Sequence, residues 1–134
     1  MSGERDLTTL LGGMRPELHP GQYVFCTIPG RAVPPGTHPV ATVREDEGLT
    51  LVLPRAEADE EKLPYDYVAG WITLRVHSAL DAVGLTGAFA RELATAGISC
   101  NVIAGYHHDH LFVPADRAAE AVRVLEALAA RSTP

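Results

Sequence analysis

The chain has 134 residues, of which 46% are hydrophobic and 21% charged, a composition typical of folded globular proteins and not of disordered ones. Its formal net charge is -6 and its 11 lysine and arginine residues are scattered, which argues against nucleic acid as a partner. No apolar run approaches the roughly 20 residues that span a bilayer, and the N-terminus resembles no secretion signal. We therefore expect a cytoplasmic protein that does not bind membranes.

The first half of the chain predicts short elements around a proline-rich loop. Residues 6–11 predict a short helix that Asp6 could cap. Residues 22–28 are rich in aromatic and β-branched side chains and predict a strand. Residues 29–39 hold too many prolines for a helix or a central strand, which indicates a loop. Residues 40–54 then predict a β-hairpin, and a short acidic helix follows it.

The second half has clearer periodicity. Residues 71–76 alternate Trp, Thr and Arg with Ile, Leu and Val, which predicts a strand with one apolar face. Residues 83–96 carry apolar side chains at helical spacing, residues 98–113 predict two strands joined by a polar turn, and Asp116 should begin a final helix. Two helices on one face of an antiparallel sheet predict an α+β fold of the ferredoxin-like kind.

One stretch, LDAVGLTGAFARELATAGISCNVIAGYHHDHLFVP, resembles the ACT domain, a small regulatory module that binds amino acids. It has a loop that enters a helix at Gly84, the helix ending AGIS, and a hairpin before an aliphatic strand. The chain looks closest to stand-alone proteins of two ACT-like units and to the ACT units of the eukaryotic cytosolic arginine sensor. The resemblance covers residues 71–128 and is weaker in the first half, where the proline loop takes the place of the first helix.

The resemblance implies a ferredoxin-like ACT sandwich with antiparallel sheets and helices packed on one face. It implies two interleaved ACT-like units, a degenerate one over residues 1–69 and an ACT domain over residues 70–134. No strand follows the final helix, so we expect the second unit to borrow a strand from the first half. We also expect a homodimer, with the ligand near an interface between units.

The resemblance implies further that a free amino acid binds against the loop at residues 77–86 and the strand at residues 100–103. A ligand carboxylate suits backbone N–H groups at a helix start, and a ligand ammonium suits a carboxylate, first Asp109 and then Asp81. The predicted ligand-binding residues are Ser78, Ala79, Asp81, Val83, Gly84, Leu85, Thr86, Asn101, Val102, Ile103 and Asp109.

Several of these residues have a purely structural alternative. Asp81 could be the N-cap of the helix, since aspartate is a preferred cap in any protein. Gly84 could simply allow the helix to pack closely on a strand. Asn101 could be a solvent-facing strand residue, because neighbouring residues on a strand point to opposite faces.

The run Tyr106–His110, YHHDH, offers a second kind of site. Strand alternation would put His108 and His110 on one side and His107 and Asp109 on the other, and two histidines with a carboxylate can bind zinc or nickel. The spacing matches no established metal motif, so we expect no metal and no other cofactor. The other histidines, at positions 19, 38 and 77, are expected in loops or on the surface.

Motifs for catalysis are missing from the sequence. Ser78 and His77 are adjacent in sequence, and adjacent residues on a strand point to opposite faces, so they do not by themselves form a pair of nucleophile and base. We therefore expect a binding protein and not an enzyme. Three functions stay open: a regulatory amino-acid-binding protein, a metal-binding protein using the cluster His107–His110, and a structural interaction module without a small ligand.

Overall fold

The computed structural model describes residues 5–76 and 78–132. In chain order its helices and strands are α1 (Leu7–Gly13), β1 (Arg15–Leu18), β2 (Tyr23–Ile28), β3 (Ala41–Glu45), β4 (Gly48–Pro54), α2 (Arg55–Glu60), β5 (Val68–Arg75), α3 (Leu85–Thr95), β6 (Asn101–Ala104), β7 (Asp109–Pro114) and α4 (Ala118–Arg131). Within the described residues no helix is both long and apolar enough to span a bilayer.

The chain divides into two compact units, and the dividing points do not follow chain order. One unit, here the central unit, comprises Pro20–Ala69. The other, here the terminal unit, joins the residues up to His19 with those from Gly70 onward. The first nineteen positions therefore group with the C-terminal half, because β1 pairs with β5 and not with a strand of the central unit.

The terminal unit contains an antiparallel sheet in the order β1-β5-β7-β6. Strand β1 pairs antiparallel with β5, and β6 pairs antiparallel with β7. Thr73 of β5 reaches His110 of β7, and Trp71 lies against Phe112, so these two strands also run in opposite directions. Strand β1, from the first half of the chain, pairs with β5 on the side opposite to β7.

Helices α3 and α4 cover one face of this sheet, as predicted, and α1 packs into the same core, which was not predicted. Alternate residues of β5 and β7 point into a single apolar core, and the helices contribute the remaining side chains. The core side chains without exposed surface include Ile72, Leu74, Phe89, Leu93, Leu111, Val113, Ala121 and Leu125. The fold is therefore the predicted α+β sandwich, held by packing of helical stripes on the apolar face of the sheet.

Local signals fix the ends of two helices. The Asp6 carboxylate accepts a hydrogen bond from the Thr9 backbone N–H at 3.0 Å, which confirms Asp6 as the cap of α1. Helix α3 begins at Leu85 and not at Val83, because Gly84 has a φ of +100° and cannot continue a right-handed helix. Gly97, with a φ of +76°, follows the end of α3 as expected.

The central unit is a smaller sheet with one short helix. Strand β4 lies between β3 and β2, and all of these pairs are antiparallel. The hairpin of β3 and β4 turns at Asp46 and Glu47, as predicted, and a side chain at Gly48 would lie 2.5 Å from the Ile28 carbonyl oxygen. The proline-rich segment contains no helix or strand. The buried residues of its core cluster are Val24, Cys26, Leu49, Leu51, Leu53 and Ala58.

Candidate functional site

The predicted ligand loop leaves the end of β5 and leads into α3. Ser78 and Ala79 are half-buried, whereas Asp81, Val83 and Thr86 are exposed. Leu80 and Val83 are among the most exposed large apolar side chains of the chain. His77 lies outside the described residues. The loop therefore presents apolar and acidic side chains to solvent at one end of the terminal unit.

The start of α3 depends on the backbone of Gly84. This glycine occupies the N-cap position in a left-handed conformation, and no side chain caps the helix. A Cβ atom at Gly84 would lie 3.2 Å from Leu7 Cδ2, so close packing against α1 also favours glycine here. The first N–H groups of α3, which begin at Leu85, consequently donate no hydrogen bond to a capping side chain.

Asp81 does not cap α3, so that structural alternative is wrong. Its carboxylate is bound by the guanidinium of Arg5, with an Nη2–Oδ1 distance of 3.0 Å. The two side chains are 55% (Arg5) and 72% (Asp81) exposed. An ion pair this exposed contributes about 0–1 kcal/mol, so a ligand could replace either partner at little cost.

Asp109 lies at the same end of the terminal unit but faces the helices. It is the first residue of β7, which runs opposite to β5, so it lies beside the end of β5 from which the loop leaves. Alternation places Asp109 on the face of Leu111, and only 9% of its surface is exposed. Burial raises the pKa of the Asp109 carboxyl, and the nearby His108 partly opposes that rise.

The strand residues of the predicted site lie elsewhere. Asn101 pairs with Phe112, whereas Ala104 pairs with Asp109, so Asn101 is three residues, roughly 10 Å, from the loop end of the hairpin. Asn101 is exposed, and Val102 and Ile103 are half-buried. Asn101 and Asp109 point to opposite faces of the sheet. The prediction that these two side chains line one groove is therefore wrong within a single terminal unit.

A polar network on the face of the sheet opposite to the helices was missed by the sequence analysis. Thr73, only 3% exposed, stands between two histidines. Its Oγ1 atom lies 2.6 Å from His19 Nε2 and 3.2 Å from His110 Nδ1. The indole N–H of Trp71 donates to the same His110 nitrogen at 3.2 Å. We call His19, Trp71, Thr73 and His110 the histidine–threonine network.

The chemistry of this network requires a neutral His110. Indole N–H is only a donor, so His110 Nδ1 must carry a lone pair and cannot carry a proton. Burial lowers the pKa of His110, and neighbouring His108, His19 and Arg75 lower it further. Burial also lowers the pKa of His19, whose ring stacks on Trp71 at a centroid distance of 3.6 Å.

Of the histidines predicted to lie in loops or on the surface, the structure describes His19 and His38, which differ in exposure. His19 lies in the segment that follows β1, as predicted for a loop residue, but its side chain is only 22% exposed and its backbone N–H donates to the Trp71 carbonyl at 2.9 Å. The alternation of Trp71, Thr73 and Arg75 signalled a polar face, but the strand beside it could not be identified from the sequence. His38 is exposed, as expected, and lies 3.0 Å from Glu57.

The histidine cluster does not fit a metal ion. Among the described residues no three histidine, cysteine, aspartate or glutamate side chains are arranged to hold one. The Nδ1 lone pair of His110 accepts from the Trp71 indole and is therefore not available to a metal ion. The terminal unit therefore favours a polar network over metal coordination.

Known proteins share both the sequence features and the fold. ACT-domain family models match residues 2–70 and residues 67–127. The chain is 50% identical to VC0802 from Vibrio cholerae, a protein of unknown function and possible transport protein, with a TM-score of 0.83 over 92% of this chain and 95% of that one. No curated protein matches the sequence.

More distant structures share the fold alone. Atu0741 from Agrobacterium tumefaciens is 20% identical with a TM-score of 0.72, over 87% of this chain and 89% of that one. The ligand-free regulatory subunit of aspartate kinase from Thermus thermophilus is 9% identical with a TM-score of 0.63, over 84% and 95% of the two chains. Since the two family models together span residues 2–127, the chain belongs to the ACT-domain family.

Proposed function

We propose that this protein is a regulatory protein that binds a free amino acid at the loop of residues 78–86. The observation that carries the proposal is the start of α3, where Gly84 leaves the first N–H groups without a side-chain cap. Such groups, together with the helix dipole, favour a carboxylate. Membership of the ACT-domain family supports the proposal, because ACT domains typically bind amino acids.

The geometry changes which carboxylate we expect to hold the ligand ammonium. Asp81 is exposed in the loop itself, and its present partner is the exposed Arg5. Asp109 is buried on the helix-covered face, and burial raises its pKa, so its charged form is disfavoured. We therefore propose Asp81 as the first ammonium partner and Asp109 as the second. The exposed Leu80 and Val83 would contact an apolar ligand side chain.

Regulation requires that the ligand change an equilibrium of the protein. A homodimer is the commonest symmetric assembly, and we propose that ligand binding alters dimer formation or partner binding. Binding, and not chemical conversion of the ligand, is the proposed activity.

A thermal-shift screen with the twenty amino acids and divalent metals tests this function, with arginine first because of the sequence resemblance. A ligand at a hundred times its dissociation constant should stabilise the protein by about 2.7 kcal/mol. Asp81→Asn should weaken binding roughly tenfold or more, since hydrogen bonds to charged groups contribute about 1.5–3 kcal/mol. Glu126→Gln, at an exposed position of α4, is the control.

Calorimetry and light scattering complete the test. Calorimetry should show that Asp81→Asn lowers affinity while Glu126→Gln does not. Light scattering with and without the ligand reports the oligomeric state. If no amino acid binds, the proposal fails, and a structural interaction module remains. Stabilisation by a metal that His110→Ala abolishes would instead support a metal-binding protein.

A further inference from the structure

The central unit carries an open groove that contains none of the residues 78–86. Its volume is about 470 Å³, within the range of pockets that hold small molecules. The start of β2 forms one wall, and the junction of β4 and α2 forms the other. The residues that line the groove include Pro20, Gln22, Tyr23, Pro54, Arg55 and Asp59.

Arg55 is held in position by neutral groups. Its Nε donates to the Tyr65 hydroxyl at 2.8 Å, and its Nη1 donates to Gln22 Oε1 at 2.8 Å. The Arg55 backbone N–H also donates to the Gln22 carbonyl at 2.9 Å, which ties the two walls together. The guanidinium is therefore oriented before any ligand arrives, so a bound anion would not have to order it.

The charge of Arg55 is only partly offset. The nearest carboxylate oxygen is Asp59 Oδ2, 3.9 Å from Nε, and the other oxygen of Asp59 accepts from the Tyr65 hydroxyl at 2.7 Å. Of the five guanidinium N–H groups, those on Nη2 donate to no group in the described part of the chain. The two N–H groups on Nη2 can therefore donate charge-assisted hydrogen bonds to a carboxylate.

Apart from Gln22, Arg55 and Asp59, the groove is lined by proline, tyrosine and small residues. Pro20 and Pro54 have rigid rings, and the Tyr23 hydroxyl donates to the Pro20 carbonyl at 3.1 Å, which holds the Tyr23 ring against this wall. The apolar lining suits a short hydrocarbon group beside the carboxylate.

The charge of α2 limits the anion to one negative charge. Glu57, Asp59 and Glu60 lie on this helix, and a single guanidinium cannot balance a dianion beside them. Phosphate and dicarboxylates are therefore disfavoured. We propose that this groove binds a small monocarboxylate with a short apolar body, held by Arg55. This site is separate from the proposed amino-acid site of the terminal unit.

Amide NMR of the labelled full chain tests the proposal, with isovalerate as the probe. Saturable shifts should appear at Gln22 and Arg55 at millimolar concentrations. Isovaleramide, which has the same shape without the charge, should bind at least tenfold more weakly, as should inorganic phosphate. Arg55→Gln should weaken isovalerate binding at least tenfold. Arg44→Gln, at an exposed position of β3, should leave it unchanged.

Tyr65→Phe provides a second variant, because it removes the hydroxyl that accepts from Arg55 Nε but keeps the guanidinium. It should weaken binding severalfold and should not alter the preference for isovalerate over isovaleramide. The proposal is overturned if Arg55→Gln binds isovalerate as tightly as the parent chain, if isovaleramide or phosphate binds equally well, or if the shifts map outside the groove. If Arg55→Gln does not fold, the Tyr65→Phe and isovaleramide measurements decide.

Discussion

At the scale of single residues, His110 is the side chain whose protonation changes the most contacts. Its Nδ1 accepts from the Trp71 indole and lies 3.2 Å from Thr73 Oγ1, and an imidazolium can accept neither bond. His19, His108 and Arg75 surround it, and their positive charges oppose a further one. Glu17 is bound to Arg75 at 2.7 Å and is the acidic group of this neighbourhood.

This arrangement predicts that acid weakens the terminal unit. The pKa of His110 is lowered by folding, so its contribution to stability is present above the ordinary pKa of about 6.5 and is lost as pH falls below that value. The pKa of His19 is also lowered by burial, so His19 contributes to the loss of stability in acid in the same direction. We expect the melting temperature to fall between pH 7 and pH 5, and the fluorescence of the single tryptophan, Trp71, to change over the same range.

His110→Asn is the informative variant, because its amide oxygen can accept from Trp71 but does not titrate. It should flatten the pH dependence of both signals, whereas His38→Asn, at an exposed position, should leave them as in the parent chain. Identical pH profiles for His110→Asn and the parent chain would show that His110 does not carry the effect.

At the scale of elements, the start of α3 combines backbone strain with the proposed ligand contact. Gly84 adopts a left-handed conformation that costs other residues about 1–2 kcal/mol. Gly87 lies in the first turns of the same helix, and a Cβ atom there would have no neighbour within 4 Å. The two glycines therefore differ in conformation and in available space although they are three residues apart.

Alanine at these positions should have opposite effects. Gly84→Ala should destabilise the protein by about 1–2 kcal/mol and weaken amino-acid binding, because the first N–H groups of α3 would shift. Gly87→Ala should stabilise by about 0.5–1 kcal/mol, since glycine inside a helix is costly. Denaturant unfolding measures the free energy of unfolding of both variants, provided that their m-values equal that of the parent chain. Equal effects of the two changes would contradict the role given to Gly84.

At the scale of the whole molecule, the terminal unit is assembled from both ends of the chain. Strand β1 pairs with β5, and Leu10, Leu11 and Met14 are buried in the same core as α3 and α4. His19 and Trp71 are joined by a backbone hydrogen bond of 2.9 Å, so the two points where the central unit departs lie side by side. We propose that the terminal unit is one interleaved domain.

Fragments test this proposal. Residues 70–134 alone should aggregate or fail to melt cooperatively, because the edge of β5 and the core surface covered by α1 would be exposed. Residues 1–19 joined to 70–134 through a short glycine-serine linker should fold and melt cooperatively, as followed by circular dichroism. A fragment 70–134 that melts as sharply as the linked protein would refute the interleaved domain.

The sequence by itself determined the features that depend on neighbours a few residues away. The periodicity of residues 83–96 gave α3, Asp6 gave the cap of α1, and the proline density of residues 29–39 excluded regular structure there. The fold class followed because these local elements, in this order, have few ways to bury their apolar faces.

Only the tertiary structure decided which distant residues meet. Arg5 binds Asp81 across 76 positions, His19 meets Thr73 across 54, and Asp109 faces the helices and not the surface of Asn101. The contact of His19 with Thr73 depends on the pairing of β1 with β5, and a strand of four residues contains no local signal for its partner. The strand with which β1 pairs is set by the apolar area that the assembled sheet buries and by the backbone hydrogen bonds that it forms. Both are properties of the whole terminal unit.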